Sequence, residues 1–125
     1  MNILVIGGSG LVGSNCLKYF EKQEDVKVVG TYYSYKTDNT VFFDTLEFNN
    51  PKNFDLDSFH PDLIMHCGAL THVDYCEANE EESYAKTVLS TINVTKLCNS
   101  CKARMIYVSS DYVFDGENGP YDENA

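Results

Sequence analysis

The chain begins with the stretch MNILVIGGSGLVG, residues 1–13, and this stretch decides the fold. Residues 2–6 form a short apolar run that stops at glycines, which is typical of a parallel strand buried on both faces. The residues from Leu11 onward then place apolar side chains at helical spacing. The stretch therefore predicts a strand, a glycine turn and a helix, which is how a Rossmann domain begins.

Two glycine patterns overlap in the turn: G-x-G-x-x-G begins at Gly8, and G-x-x-G-x-x-G begins at Gly7. Glycine is needed because the turn requires backbone angles that a Cβ penalises, and because a pyrophosphate must approach bare backbone. Glycine amides and a helix N-terminus can hold a pyrophosphate without side-chain cations. The turn is therefore predicted to bind the pyrophosphate of an NAD(P) cofactor. A tight turn that binds no ligand is the alternative. The predicted cofactor contacts are Gly7, Gly10, Leu11, Val12 and Gly13.

The rest of the chain alternates between strand and helix patterns. Strands are predicted at residues 26–33, 41–43, 61–67 and 105–108, and helices at 11–23, 52–59 and from 73 onward. This order predicts one α/β domain over residues 1–125, a doubly wound parallel sheet with right-handed crossovers and helices on both faces.

Composition narrows the class of protein. The 125 residues are 43% hydrophobic, which is enough for one substantial core. The formal net charge of −10, with Arg104 as the single arginine, argues against a nucleic-acid partner. No apolar run approaches the roughly 20 residues that cross a bilayer, and no signal segment precedes the first strand, so we expect a cytoplasmic protein without a membrane partner.

The cysteines and histidines do not form a recognisable metal or disulfide pattern. Five cysteines at irregular spacing argue against a secreted disulfide framework, so reduced thiols are expected. Cys98 and Cys101 fall late in a predicted helix and are interpreted as core thiols. No metal site is predicted. The acidic residues 80–82 are expected to begin the long helix, where negative charge favours the helix dipole.

The end of the second predicted strand bears on the choice between NAD and NADP. A carboxylate there would bond the ribose 2′-hydroxyl and repel a 2′-phosphate, and residues 30–37 contain no acid. Ser34 and Lys36 are therefore the predicted contacts of a 2′-phosphate, and an ordinary solvated loop is the alternative. NADPH is expected to be at least tolerated, with NAD as the other cofactor.

Three spaced segments together resemble a known family. They are GGSGLVG at residues 7–13, PDLIMHCGALTHVD at 61–74, and YVSSDYVFDG at 107–116 with GPY at 119–121. They are similar to the extended short-chain dehydrogenases and, within these, to the dTDP-4-dehydrorhamnose reductase family. The resemblance covers essentially the whole chain. It implies NAD(P)H-dependent reduction of a 4-keto group on a nucleotide-linked deoxysugar.

The resemblance also implies roles for individual residues along the cofactor. Asp44 corresponds to the acid that bonds the adenine. Cys67, Gly68 and Ala69 correspond to a small-residue turn along the cofactor, where the family more often has alanines.

The catalytic Ser/Thr position of the family falls on Ser110. Its hydroxyl would bond the sugar carbonyl and stabilise the negative charge that develops on oxygen. Asp111 and Tyr112 resemble supporting residues near the substrate. A plain turn after a strand is the competing interpretation of this serine.

The family's proton donor, the tyrosine of a Tyr-x-x-x-Lys pair, has no counterpart after Ser110. We therefore expect an N-terminal fragment that lacks the substrate domain, binds the cofactor and does not turn over. An exposed sheet edge, with non-native association, is also expected. The sequence leaves open whether the chain forms a homodimer. The alternatives are a related epimerase or dehydratase, and an NAD(P)-binding regulatory subunit like that of methionine adenosyltransferase.

Overall fold

A single parallel sheet organises the chain. The computed structural model describes residues 1–68, 73–110 and 114–124. The five strands run in the order β3-β2-β1-β4-β5, and every pairing between neighbours is parallel. The strands are β1 (Asn2–Ile6), β2 (Lys27–Tyr32), β3 (Thr40–Phe42), β4 (Leu63–His66) and β5 (Arg104–Tyr107). The predicted Rossmann-like α/β fold is confirmed.

Helices connect the strands. They are α1 (Leu11–Glu21), α2 (Leu56–Phe59), α3 (Val73–Ala78), α4 (Glu80–Ser83) and α5 (Ser90–Cys101), and a π-helical segment, Tyr84–Leu89, joins α4 to α5. Within the described ranges, none of these helices combines the length and the apolar character needed to cross a membrane.

Strand β1 is buried on both faces because its side chains alternate between two cores. Leu4 and Ile6 pack in a cluster that includes Val94 of α5. Ile3 and Val5 pack on the other face, where side chains of α1 join the cluster. The helices α1 and α5 therefore cover opposite faces of the sheet, as the continuous apolar run predicts.

The sheet topology creates a crevice at one end of β1. After β1 the chain forms β2 and β3 on one side of β1. It then crosses to the other side of β1, where it forms β4 and β5. Connections that depart in opposite directions open a crevice at the carboxyl ends of the strands, where ligands of open α/β sheets bind.

The helix predicted at residues 52–59 is shorter than expected. It begins only at Leu56, because Asp55 caps it: the Ser58 backbone N–H donates to Asp55 Oδ1 at 3.2 Å and the Ser58 hydroxyl donates to Oδ2 at 2.7 Å. It ends after one turn at His60, whose φ of 54° is left-handed.

The helix predicted from residue 73 onward is interrupted at Asn79. The Asn79 side-chain amide donates to the carbonyl of Tyr75 at 3.0 Å, and its backbone leaves the helical region with φ −133° and ψ 62°. Side chains that bond the preceding turn in this way compete with helix continuation. The next helix begins at Glu80, as predicted for the acidic residues there.

Candidate functional site

The glycine turn after β1 is held by close backbone contacts. Gly7 has φ +79°, and a Cβ there would lie 2.9 Å from the carbonyl carbon of Cys67 and from the backbone nitrogen of Gly68. A Cβ on Gly13 would lie 2.0 Å from the carbonyl oxygen of Gly7. The turn therefore packs against both the end of β4 and the first turn of α1, and glycine is required at these two positions.

Helix α1 begins directly after this turn without a side-chain cap. Gly10 is its N-cap residue, and a glycine has no side chain that could bond the first-turn amides. The Leu11 side chain is 83% exposed, and Leu11 and Val12 do not line the cleft described below. If these two residues contact a ligand, their backbone amides are the groups available, which suits an anion at a helix N-terminus.

An open cleft of about 270 Å³ lies at the carboxyl ends of the strands. The glycine turn and the residues that follow β2, β3 and β4 line it. The π-helical segment and the first residue of α5 line it as well. The predicted site residues that line it are Gly7, Gly10, Ser34, Asp44, Cys67 and Gly68. The predicted site residues from four separate segments of the chain therefore line the same cleft.

Asp44 is fixed by hydrogen bonds on the wall that follows β3. Its side chain is buried, its Oδ1 accepts from the Leu46 backbone N–H at 2.9 Å, and its own N–H donates to Asn53 Oδ1 at 2.7 Å. The Asn53 amide donates onward to the carbonyl of Glu47 at 3.1 Å. The acid therefore has a defined orientation before any ligand arrives.

The loop after β2 separates the two residues predicted to contact a 2′-phosphate. Ser34 lines the cleft, whereas Lys36 is exposed and lies outside it. The reason is local: the Thr37 N–H donates to Thr40 Oγ1 at 3.1 Å, and the Thr40 hydroxyl donates back to the Thr37 carbonyl at 2.9 Å. These bonds close the turn before β3, and Lys36 directly precedes that turn.

Lys86 lines the cleft instead, which the sequence prediction missed. It lies in the π-helical segment, and its Nζ donates to Glu82 Oε1 at 2.7 Å. This hydrogen bond to the carboxylate raises the pKa of the Lys86 ammonium. Glu82 also accepts a bond from the Tyr75 hydroxyl. No local pattern signalled Lys86, because the glycine turn lies more than seventy residues earlier in the chain.

Hydrogen bonds hold the long helix against the wall that follows β3. The hydroxyls of Thr45 and Ser90 lie 2.6 Å apart, and the Asn93 amide donates to the Thr45 carbonyl at 2.9 Å. Ser90 is buried and lines the cleft. Side-chain hydrogen bonds therefore fix the start of α5 relative to Asp44.

His66, the last residue of β4, is completely buried below the cleft. Its Nε2 lies 3.0 Å from the Thr91 hydroxyl, which donates its proton to the Thr87 carbonyl at 2.6 Å. Thr91 therefore accepts from His66, so the ring carries its proton on Nε2, and Nδ1 has no hydrogen-bond partner among the described residues. Burial lowers the His66 pKa to about 4, so the ring is neutral near pH 7.

A family model described as "RmlD substrate binding domain" matches residues 1–125. The chain belongs to this family. Methionine adenosyltransferase 2 subunit beta of Xenopus tropicalis is 34% identical over 98% of the chain. The probable low-salt glycan biosynthesis reductase Agl14 of Haloferax volcanii is 32% identical over 98% of the chain. The predicted membership in the dTDP-4-dehydrorhamnose reductase family is thereby confirmed.

A solved structure described as a hypothetical dTDP-4-dehydrorhamnose reductase from Sulfolobus tokodaii has the same fold. It aligns over 100% of this chain and 45% of its own, with a TM-score of 0.83 and 28% identity. The chain spans 36% of the Xenopus relative and 42% of the Haloferax relative. These relatives are thus more than twice as long as this 125-residue chain.

The position of Ser110 in this RmlD family chain differs from that of the cleft residues. β5 ends at Tyr107, and the Val108 N–H still donates to the His66 carbonyl at 3.1 Å. Ser110 is exposed and does not line the cleft, although it follows the carboxyl end of β5 and the cleft lies at the carboxyl ends of the other strands. The predicted contacts Ala69, Asp111 and Tyr112 lie outside the described residues.

Cys67, which lines the cleft of this RmlD family chain, does not carry a reactive thiol. Burial raises the pKa of Cys67 to about 11, and the neighbouring Cys16 thiol contributes to the increase. A thiol with so high a pKa stays protonated near pH 7 and is a poor nucleophile. Burial likewise raises the pKa of Cys98 to about 11, which agrees with its interpretation as a core thiol.

Proposed function

We propose that this chain is the NAD(P)-binding part of a reductase that acts on a 4-keto nucleotide-sugar. The observation that carries the proposal is the cleft, where a compact glycine turn, an uncapped helix N-terminus and a fixed carboxylate lie together. A pyrophosphate suits the first two features, and an adenine amino group suits the third.

The chemistry divides between the cofactor and the protein. Bound NADPH would supply hydride to the keto carbon. In this proposal the glycine turn holds the pyrophosphate and Asp44 orients the adenine. Ser110 would donate a hydrogen bond to the substrate carbonyl oxygen and stabilise the charge that develops there. No Tyr-x-x-x-Lys pair follows Ser110 in these residues, so we expect the chain alone to bind cofactor without turnover.

Replacing Gly10 tests the cofactor site while sparing the fold. Among the described residues, the contact that a Cβ built on Gly10 would make beyond its own helix is with the Gly7 carbonyl oxygen at 3.4 Å, an ordinary van der Waals distance, so Gly10→Ala is accommodated. We expect this change to weaken NADPH binding about tenfold, because a methyl group then stands where the pyrophosphate approaches bare backbone. Fluorescence titration with NADPH measures it.

The matched control is Asn15→Ala, an exposed position on α1 outside the cleft. It should leave the dissociation constant unchanged. If the unmodified chain binds neither NADPH nor NADH, the proposed function is wrong. Oxidation of NADPH by the chain with a dTDP-4-keto sugar would contradict the expected lack of turnover.

A regulatory, NAD(P)-binding subunit is the second candidate function. It is favoured by the relative named as a subunit of methionine adenosyltransferase, which aligns with 98% of the chain. This candidate predicts that the chain binds a methionine adenosyltransferase catalytic subunit and changes its activity. The reductase proposal predicts no such complex, so a pull-down with the purified catalytic subunit separates the two.

A further inference from the structure

Charge is sparse in the cleft. Among the described residues that line it, the ionisable acid is Asp44 and the basic side chain is Lys86. Asp44 is engaged by the backbone of its own loop, whereas the Lys86 side chain is 39% exposed and keeps two ammonium protons beyond the one directed at Glu82. The cleft therefore offers one cation for an anionic ligand.

The position of this cation points to one end of the cofactor. Lys86 lines the same cleft as Tyr33 and Ser34, and Tyr33 directly follows β2. The residues at the end of β2 are those that meet the adenosine ribose in this type of fold. The cleft therefore brings Lys86 together with the residues at its ribose end.

The backbone of the long helix is irregular at this position. Residues Tyr84–Leu89 form a π-helical segment between two α-helices, and Lys86 lies within it. Such π-helical turns are rare and are found frequently at functional sites. The Thr45–Ser90 hydrogen bond, one turn further along, fixes the segment against the cleft wall.

We infer that Lys86 is the residue that selects NADPH over NADH, by donating hydrogen bonds from its ammonium to the 2′-phosphate of the adenosine ribose. Glu82 restrains the side chain at the rim of the cleft and opposes the same phosphate by its charge. Ser34, on the facing loop, adds a hydroxyl. Lys36 takes no part, because it lies outside the cleft. The inference rests on the proposed cofactor-binding function.

Four lysine substitutions test this assignment by titration with NADPH and NADH. Lys86→Met retains the aliphatic stem, so we expect NADPH binding to weaken roughly ten- to hundredfold while NADH binding changes less than about twofold. Lys86→Arg should retain the preference for NADPH. Lys36→Met should leave both affinities unchanged, as should Lys96→Met, an exposed lysine on α5 outside the cleft.

Glu82→Gln should have the opposite effect on NADPH binding from Lys86→Met. Removing its negative charge should strengthen NADPH binding and leave NADH binding unaltered. The preference for NADPH should also fall as salt is added, because exposed charges are screened, and Lys86→Met should abolish that salt dependence.

Several outcomes would overturn the inference. Equal losses of NADPH and NADH binding in Lys86→Met would place the lysine on the shared pyrophosphate. A loss in Lys36→Met without one in Lys86→Met would return the role to the loop lysine. A wild-type preference for NADH would also overturn it. These outcomes leave the proposed function intact, whereas absence of binding to both nucleotides contradicts the function itself.

Discussion

Strands β1 and β5 have similar apolar sequences and opposite surroundings. β1 lies between two strands and two helix-covered faces, and Ile3 is only 1% exposed. β5 pairs with β4 alone among the described strands, and Ile106 is 46% exposed although Met105 packs inward. An apolar run therefore indicates a strand, but its neighbours in the sheet decide how deeply it is buried.

The same contrast applies to the two parts of the site. The glycine turn after β1 is fixed by backbone contacts to β4 and α1, so the cleft is built from contacts among the described residues. Ser110 follows the edge strand and is exposed. In the proposed function, binding and catalysis would therefore depend on different amounts of surrounding structure, since a hydroxyl must be held in place to stabilise a transition state.

The largest expected effect compares the two strands directly. Ile3→Ala should lower the free energy of unfolding by about 2–5 kcal/mol, because it leaves a cavity in a close-packed core. Ile106→Ala should cost less than about 1 kcal/mol, because much of that side chain already meets solvent. Urea unfolding followed by circular dichroism measures both. Equal losses would show that β5 is buried in solution, by association for example.

The second effect concerns His66, which lies beside Tyr107 with ring centroids 5.6 Å apart. Its pKa is about 4 in the folded chain against an ordinary value of 6.5, so the unfolded chain binds the proton more readily. The stability contributed by the neutral ring is fully present above about pH 6.5. It should be lost as pH falls toward 4, by at most about 3 kcal/mol.

Unfolding in urea between pH 7 and pH 5 measures this dependence, and His66→Asn is the matched variant. Asparagine cannot take up the proton, so the difference in pH dependence between the two chains isolates the histidine. If both chains lose stability equally over this range, His66 is accessible to water and the packing of β5 against it is looser than described.

The smallest effect compares two serines on one helix. Ser90→Ala removes the bond to Thr45 and should cost about 1 kcal/mol, because Ser90 is buried at the cleft wall. Ser100→Ala removes only a bond to the Leu97 carbonyl on the exposed side and should change stability by less than about 0.5 kcal/mol. Thermal unfolding of the two variants makes the comparison. A larger loss at Ser100 would contradict it.

Much of the fold follows from local patterns. The apolar runs of β1 and β4 end at glycines, and their observed bounds differ from the predicted ones by two residues or fewer. The order of elements was also predictable, because the period of the apolar residues changes between strands and helices. The break at Asn79 was not, since the geometry of that residue depends on its bond to the preceding turn.

The sequence by itself determined the glycine turn, the parallel order of the elements and the position of Asp44 after β3. Close backbone approach and buried strands leave local signatures, because they restrict residue type at each position. Only the tertiary structure decided that Lys86 and Ser90 join the cleft, that Lys36 stays outside it, and that His66 is buried beneath it. These placements depend on contacts between segments up to about eighty residues apart, and spacing along the chain carries no record of them.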